Sequence, residues 1–338
     1  MSKILFISPN PVWGGAATAN VSIAKMLSDS GYKTLYNDEF YEKDYYDGLQ
    51  IFHYNIHGKQ KDSNKNLLRL VKELNVGTII WGNTLVFYKY IPAIIKLNKR
   101  NINQISIYHS LSLNSSIVGK FFEMVSNILA RYMNHIVYVS QFTQVSWEKY
   151  SGFKKAHNRS IVIHNPLEYN GSSHVVENFN EFKIGFVGRF SNEKQPEIFC
   201  KLSDVSGFKY IAYGDGPLLE NMRAKYPRVN FEGNCSNPDI IYQNIDILVM
   251  TSAFENCPMV ILESKARGIP CVVPNVGGIS EIVSNNVDGI LFDNYNQSEI
   301  LSAINIIKDN YSSFQKSCLR RADSYRPQNL VKKWKSII

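Results

Sequence analysis

Short apolar runs alternate with stretches whose apolar residues recur every three or four positions, and the alternation extends along the whole chain. In the first half, Lys3–Ser8, Gly77–Trp81, Gln104–Tyr108, His135–Val139 and Ile161–His164 read as strands bounded by turn residues. Ala16–Ser30, Asn64–Leu74, Val118–Met133 and Gln141–Tyr150 read as the helices between them. The polar, turn-rich stretch Glu168–Glu181 then breaks the rhythm. Beyond it the pattern restarts, with strands at Lys183–Val187, Phe208–Ala212, Val229–Glu232, Ile245–Met250 and Cys271–Val273 and helices between. Strands this apolar, each followed by a helix, predict the α/β class with parallel sheets covered on both faces. The expected organisation is a doubly wound domain over 1–168, a linker at 169–181, a second doubly wound domain over 182–323, and a segment 324–338 whose Pro327–Ile338 part is helical in pattern.

Composition sharpens this picture in two places. A chain of 338 residues with 44% hydrophobic content can bury two cores, and no apolar run reaches the length of a membrane span. Met1-Ser2-Lys3 leads straight into a strand and predicts no leader. The five cysteines are odd in number, widely spaced and without metal-ligand spacing, so a reducing cytoplasm is expected. The net charge of +8 is uneven: Met1 to Glu168 holds 19 Lys and Arg against 11 Asp and Glu, while the remainder holds 18 of each. A basic first half suits an anionic partner, either a phospholipid surface or a pyrophosphate-linked molecule, and a merely soluble basic surface is the plainer reading. No nucleic-acid motif or arginine-rich run accompanies the charge, so no nucleic acid is expected.

The chemistry concentrates in Phe254-Glu255-Asn256-Cys257-Pro258-Met259-Val260-Ile261-Leu262-Glu263. Glu255 and Glu263 bracket a turn that becomes a helix, and proline suits a helix N-terminus because its missing N–H had no partner there. Amides around Pro258, Met259 and Val260 then lie at the positive end of the helix dipole, which suits an anion. Glu263, expected two turns in, can accept hydrogen bonds from hydroxyls on whatever carries that anion. Upstream, Gly188-Arg189-Phe190-Ser191-Asn192-Glu193-Lys194 follows a strand, and its two cations can grip a diphosphate. Alone, such a loop reads as ordinary surface charge; beside two glutamates it reads as a phosphate grip. Trp13-Gly14-Gly15-Ala16-Ala17 opens a helix after the first strand, where small residues admit a ligand to the backbone or simply make a turn. Tyr108-His109-Ser110 ends another strand, and His109 is either a ligand-facing side chain or a satisfied buried one. Asp215 is expected to cap a helix starting at Pro217 after the Gly214-Asp215-Gly216 turn. Phe121, Phe122, Val125, Ile128 and Leu129 form an apolar helical stripe, read first as core and second as a membrane contact helped by Lys120 and Arg131.

These residues together resemble a retaining glycosyltransferase with a GT-B fold, from the large bacterial glycosyltransferase family 4, or group 1. The resemblance spans nearly the whole chain and is strongest from Ile184 to Phe292. The two glutamates of that family's Glu-x7-Glu motif fall on Glu255 and Glu263. Asn256-Cys257 stands where the family usually has Gly-Phe, Ser264-Lys265 where it has Ala-Met, and Lys194-Gln195 where it has Lys-Gly.

The resemblance implies two Rossmann-like domains facing across a cleft, with a C-terminal helix returning to the first. It implies sugar transfer from a nucleoside diphosphate sugar, UDP-linked by family frequency, to a glycan acceptor, with retention at the anomeric carbon. Arg189 and Lys194 would hold the diphosphate, Glu255 the sugar hydroxyls and Glu263 the ribose. His109 would orient the sugar or leaving phosphate, Gly14 and Gly15 would wall the phosphate site, and Glu232 would border the nucleobase. Asn256 and Cys257 would meet the sugar. No Asp-x-Asp element is present, so no metal or other cofactor is expected, the cations taking that electrostatic role. A lipid-linked oligosaccharide acceptor, as in surface polysaccharide assembly, would place the protein peripherally on the inner face of the plasma membrane. Two other readings stay open: a sugar-nucleotide epimerase on the same fold, and a non-catalytic sugar-nucleotide-binding protein. A nicotinamide oxidoreductase fails on the absent glycine fingerprint.

Overall fold

The structure is a computed structural model and describes residues 3–8, 14–37, 49–51, 60–82, 87–111, 117–167, 169 and 181–338. The chain divides into two compact units, one of Met1–Pro166 with Pro327–Ile338, the other of Leu167–Arg326. Most of the linker expected at 169–181, and Trp13, lie outside the described residues.

The first unit is built on strands β1 (Lys3–Ile7), β2 (Thr34–Asn37), β3 (Gln50–Ile51), β4 (Val76–Trp81), β5 (Asn103–Tyr108), β6 (His135–Tyr138) and β7 (Ser160–Val162). They form one sheet in the order β3-β2-β1-β4-β5-β6-β7, and every pairing is parallel. Ile4, Leu5, Phe6 and Ile7 are all fully buried, as a strand covered by helices on both faces requires. The hydrophobic pattern does not announce β2, β3 or the helix Phe87–Asn98. β2 is only four residues with a threonine and an asparagine at its ends. The helix contains Pro92, which normally argues against one. It persists because Phe87, Tyr90, Ala93, Ile94 and Leu97 bury one complete face. The closing helix Pro327–Lys335 belongs to this unit: it packs on the helix Gly15–Asp29, buries Trp334 completely, and is followed by carbonyls of Ile337 and Ile338 that accept from Asn103 Nδ2 at 2.9 and 3.2 Å.

The second unit contains β8 (Phe182–Val187), β9 (Phe208–Tyr213), β10 (Val229–Gly233), β11 (Ile247–Val249), β12 (Cys271–Pro274) and β13 (Gly289–Phe292). Their order is β10-β9-β8-β11-β12-β13, again all parallel. A run of aromatic residues, Phe182, Phe186, Phe190, Phe199 and Tyr210, fills one side of the core. In both sheets the strand order reverses at one place, between β1 and β4 and between β8 and β11. Loops leaving the carboxyl ends of strands diverge at such a point, and open α/β sheets bind ligands there.

Candidate active site

In the second unit, the loops after β8 and β11 flank the reversal and are tied together. The Thr251 hydroxyl faces the carbonyls of Lys194 and Gln195 at 3.0 and 2.9 Å, and the Ala253 amide donates to the Glu193 carbonyl at 2.9 Å. That lacing brings Lys194 Nζ to 2.5 Å from Glu255 Oε1, which also accepts from Ser252 Oγ at 2.8 Å. Glu255 is buried and Lys194 partly exposed, so the carboxylate is held by two donors while the ammonium keeps a side open to solvent. Arg189 is exposed on the same loop, anchored by the fully buried Phe190 beside it. Gln195 adopts φ +46°, a left-handed conformation that costs a non-glycine residue about 1–2 kcal/mol. Glycine after the lysine in the resembling family suits that backbone, and here glutamine bears the strain.

The glycines of this unit explain how the loops come so close. Gly214 has φ +130°, and a Cβ there would lie 2.0 Å from the Gly188 carbonyl oxygen. Gly216, at φ +152°, would likewise strike the Phe190 carbonyl at 2.5 Å. The expectation that Asp215 caps a helix at Pro217 is overturned. The helix is Leu219–Lys225, and Asp215 Oδ1 instead accepts the Gly216 amide at 2.6 Å while its carbonyl takes the Phe190 amide at 2.9 Å. Asp215 therefore fastens the turn to the Arg189 loop. Glu232 is exposed at a register shift between Phe231 and Gly233.

The helix Met259–Ala266 starts immediately after Pro258, with Cys257, Pro258 and Met259 buried and Asn256 and Val260 partly exposed. Glu263 lies four residues past its start, so it is little more than one turn in, not two. Its Oε2 accepts from the hydroxyl of the buried Tyr242 at 3.0 Å. Burial pushes the Glu263 carboxyl above its ordinary range, against the lowering effects of the Tyr242 hydrogen bond and Arg267. Lys265, where the family usually has methionine, points away from this chemistry. It is fully buried, bonded to the Ile282 carbonyl and, at 2.7 Å, to Asp288 Oδ2, which Arg321 Nε also meets at 2.8 Å. A buried charge with this many partners is a structural element, and that departure from the family leaves the site untouched.

In the first unit the reversal between β1 and β4 holds a second polar cluster. Asn20, fully buried on the helix Gly15–Asp29, donates through Nδ2 to Ser8 Oγ and to the Gly82 carbonyl, both at 2.8 Å. Its Oδ1 lies 2.7 Å from His109 Nε2, which is therefore the protonated ring nitrogen. Burial pushes the His109 pKa down to about 4, so the imidazole is neutral at physiological pH. Gly82 is required here, because a Cβ would sit 2.7 Å from Asn20 Nδ2 and 2.6 Å from the Phe6 ring. Gly14, by contrast, has an extended φ of −173° and open space where a Cβ would be, so nothing among the described residues demands glycine there. Gly14 and Gly15 are both exposed. The structure thus groups Lys194 with Glu255, groups Glu263 with Tyr242, and places His109 with Asn20 in the first unit. The sequence reading missed Asn20, Ser252 and Tyr242. Asn20 carried a usable signal, a polar residue among Ala17, Ile23, Ala24 and Leu27 on a buried helical face.

Residues 173–324 match the model of the family described as glycosyl transferases group 1. That match takes in a little under half of the chain and most of its second unit. Together with the glycosyltransferase relatives, it supports an enzyme of the hexosyltransferase kind. Over 308 residues it is 24% identical to the O-antigen biosynthesis glycosyltransferase WbnH of Escherichia coli, covering 88% of this chain and 82% of that one. Over 161 residues it is 28% identical to a GDP-mannose-dependent alpha-mannosyltransferase of Corynebacterium glutamicum, covering 46% of this chain and 37% of that protein. Anabaena HepE, solved in complex with UDP and glucose, superposes with a TM-score of 0.81 at 18% identity, over 99% of this chain and all of that one. That likeness makes the fold GT-B.

Proposed function

We propose that this protein is a group 1 glycosyltransferase that moves a sugar from a nucleoside diphosphate sugar to a glycan hydroxyl, with retention and without a metal ion. The observation that carries the reading is the grouping at the β8–β11 reversal: a lysine and an exposed arginine on one loop, a buried glutamate on the other, and a second glutamate one turn into the helix that follows. A diphosphate carries two negative charges that Arg189, Lys194 and the amides of Met259 and Val260 can neutralise. Lys194 gives up part of its contact with Glu255 when phosphate arrives, and Glu255 then accepts from sugar hydroxyls beside Asn256 and Cys257. Glu263 accepts from the ribose, and Glu232 borders the base. The bond between the anomeric carbon and the diphosphate oxygen breaks as the acceptor oxygen attacks on the same face. The acceptor's proton passes to the departing phosphate oxygen, and the charge left on the diphosphate is held by the two cations. His109, neutral and held through Nε2 by Asn20, is the side chain we assign to orienting the sugar. Gly14 and Gly15 let the phosphates approach the backbone.

Uridine diphosphate is the nucleotide we propose, as HepE is solved with UDP; the mannosyltransferase relative uses GDP-mannose and keeps guanosine diphosphate as the alternative to test. The acceptor we propose is a lipid-linked oligosaccharide at an anionic membrane, on the cytoplasmic side. The support is charge and exposure. The first unit holds 22 Lys and Arg against 10 Asp and Glu, a net of +12, and the second 15 against 19, a net of −4. The predicted stripe on the helix Ile117–Leu129 is divided: Val125 and Leu129 are buried, whereas Phe121, Met124 and Ile128 are 51%, 52% and 41% exposed on the opposite face. Lys120 and Arg131 are exposed alongside, and the nearby Glu123 is buried with the Tyr150 hydroxyl on its carboxylate at 2.5 Å. An apolar ridge flanked by exposed cations fits a negatively charged bilayer. No helix among the described residues is long and apolar enough to cross a membrane.

The test is turnover of UDP- and GDP-sugars with polyprenyl-diphosphate oligosaccharides in phosphatidylglycerol-containing vesicles. Transfer is expected to need the acceptor and to give a product whose anomeric proton keeps the donor's configuration. Replacing Phe121, Met124 and Ile128 by serine is expected to weaken vesicle binding about tenfold or more, from the apolar area lost. Donor interconversion without acceptor would establish the epimerase instead, and equal binding of wild type and variant to vesicles would remove the membrane from the account.

A further inference from the structure

Glu263 has one carboxylate oxygen engaged and one not. Oε2 accepts from Tyr242, while among the described residues Oε1 has no hydrogen-bond partner, and the side chain remains partly exposed. Around this pair the protein is braced. Tyr242 sits fully buried on the helix Pro238–Gln243, whose N-terminus is capped by Asn237. The buried Arg267 links that helix to Glu263's own: Nε and one terminal nitrogen reach Asp239 Oδ1 at 3.0 and 2.6 Å, and the other donates to the Glu263 carbonyl at 3.0 Å. Its guanidinium also stacks between two rings, 5.0 Å from the centroid of Tyr242 and 4.3 Å from that of Tyr169. The Tyr242 hydroxyl faces a second acceptor, the Val260 carbonyl, also at 3.0 Å. One proton serves two acceptors, so it can turn toward Glu263 when the carboxyl is ionised and toward Val260 when it is not.

We propose that Tyr242 is a positioning residue for the donor site: its hydroxyl, braced by Arg267, holds Glu263 Oε2 and fixes Oε1 as the acceptor for a ligand hydroxyl. This rests on the reading of Glu263 as a donor contact and adds what sets its geometry and charge. A carboxyl surrounded by protein prefers to be neutral, and a neutral carboxyl is a poorer acceptor. The Tyr242 hydroxyl counters that by donating to the ionised form. Among the described residues, the other charged and titratable groups packed around it are Arg267, which favours the carboxylate, and Asp239 and Tyr169, which both meet Arg267. Since the ionised group is the stronger acceptor, ligand binding is strongest above the raised pKa and weakens as pH falls through it.

The experiment is titration of UDP and GDP into wild type, Tyr242→Phe, Glu263→Gln and the double variant, from mildly acidic to neutral pH. Phenylalanine keeps the ring that Arg267 stacks on, so the fold should survive, and thermal melts check it. Tyr242→Phe is expected to weaken binding about tenfold, the size of a hydrogen bond to a charged group, and to move the acid fall-off to higher pH. In the Glu263→Gln background the same change should do little and the acid fall-off should be gone. The proposal is overturned if Glu263→Gln weakens binding while Tyr242→Phe matches wild type in affinity and pH profile. It is equally overturned if Tyr242→Phe costs the same affinity in both backgrounds, the mark of packing alone. Unchanged binding in Glu263→Gln would remove Glu263 from the donor site, and this proposal with it.

Discussion

Lys194→Met lowers kcat with UDP- or GDP-sugar by about 100- to 1000-fold, the usual loss when one preorganised donor to a developing anion is removed. The charge on the departing diphosphate appears in the transition state, so the effect falls on kcat more than on donor KM. The same substitution strips Glu255 of its ion pair. Lys194 is only partly buried and Ser252 still donates to Glu255 Oε1, so the stability cost lies between that of an exposed and a buried pair, about 1–3 kcal/mol. Rate measurements below the melting transition separate the two effects. An Arg at position 194 is expected to recover only part of the rate, since the loop is cut to a point charge, not a fork. Wild-type kcat in Lys194→Met would exclude the lysine from leaving-group stabilisation.

Gly277→Ala is the other substitution with a large expected effect, and its mechanism is steric. Gly277 has φ +61°, and a Cβ there would stand 1.8 Å from the Glu255 carbonyl oxygen. The next residue, Gly278, donates its amide to that same carbonyl at 3.0 Å. A methyl group must therefore push the Glu255 backbone away or break this bond, and alanine also resists the left-handed conformation. Together these cost about 2–4 kcal/mol, summing backbone strain and overpacking. Denaturant unfolding measures the loss, and residual activity at low temperature should drop further than the folded fraction, because Glu255 is displaced. Unfolding at the wild-type denaturant midpoint would contradict the packing described.

Both predictions concern residues whose type the sequence displayed but whose contacts it did not. The alternation of apolar runs and helices gave the α/β class because parallel strands are buried on both faces and so read as unbroken hydrophobic segments. β2 escaped because four residues with polar ends carry no periodicity, and the helix Phe87–Asn98 because Pro92 is a local signal that tertiary burial overrides. The Glu255–Glu263 spacing was legible since both lie on one short contiguous segment. The pairing of Lys194 with Glu255, 61 residues apart, depends on two loops meeting where strand order reverses, which no local pattern encodes. Tyr242 carries no local sequence signal, because its hydroxyl matters only once the helix packing aims it at Glu263. Asp215 illustrates the opposite error. Its Gly-Asp-Gly-Pro context suggested a cap, yet the helix starts later and the carboxylate closes its own turn.

The second unit is expected to hold a nucleoside diphosphate sugar through Glu263 and its neighbours. The most direct test is a thermal-shift panel of nucleoside diphosphates and their sugar conjugates on wild type and Glu263→Ala, without added metal. A ligand raises the melting temperature according to how far its concentration exceeds its Kd, so the panel ranks nucleotides against one another. One nucleotide, with its sugar conjugates, is expected to stabilise wild type, and the shift is expected to be lost in Glu263→Ala. Equal shifts in wild type and variant, or none with any nucleotide, would contradict that expectation.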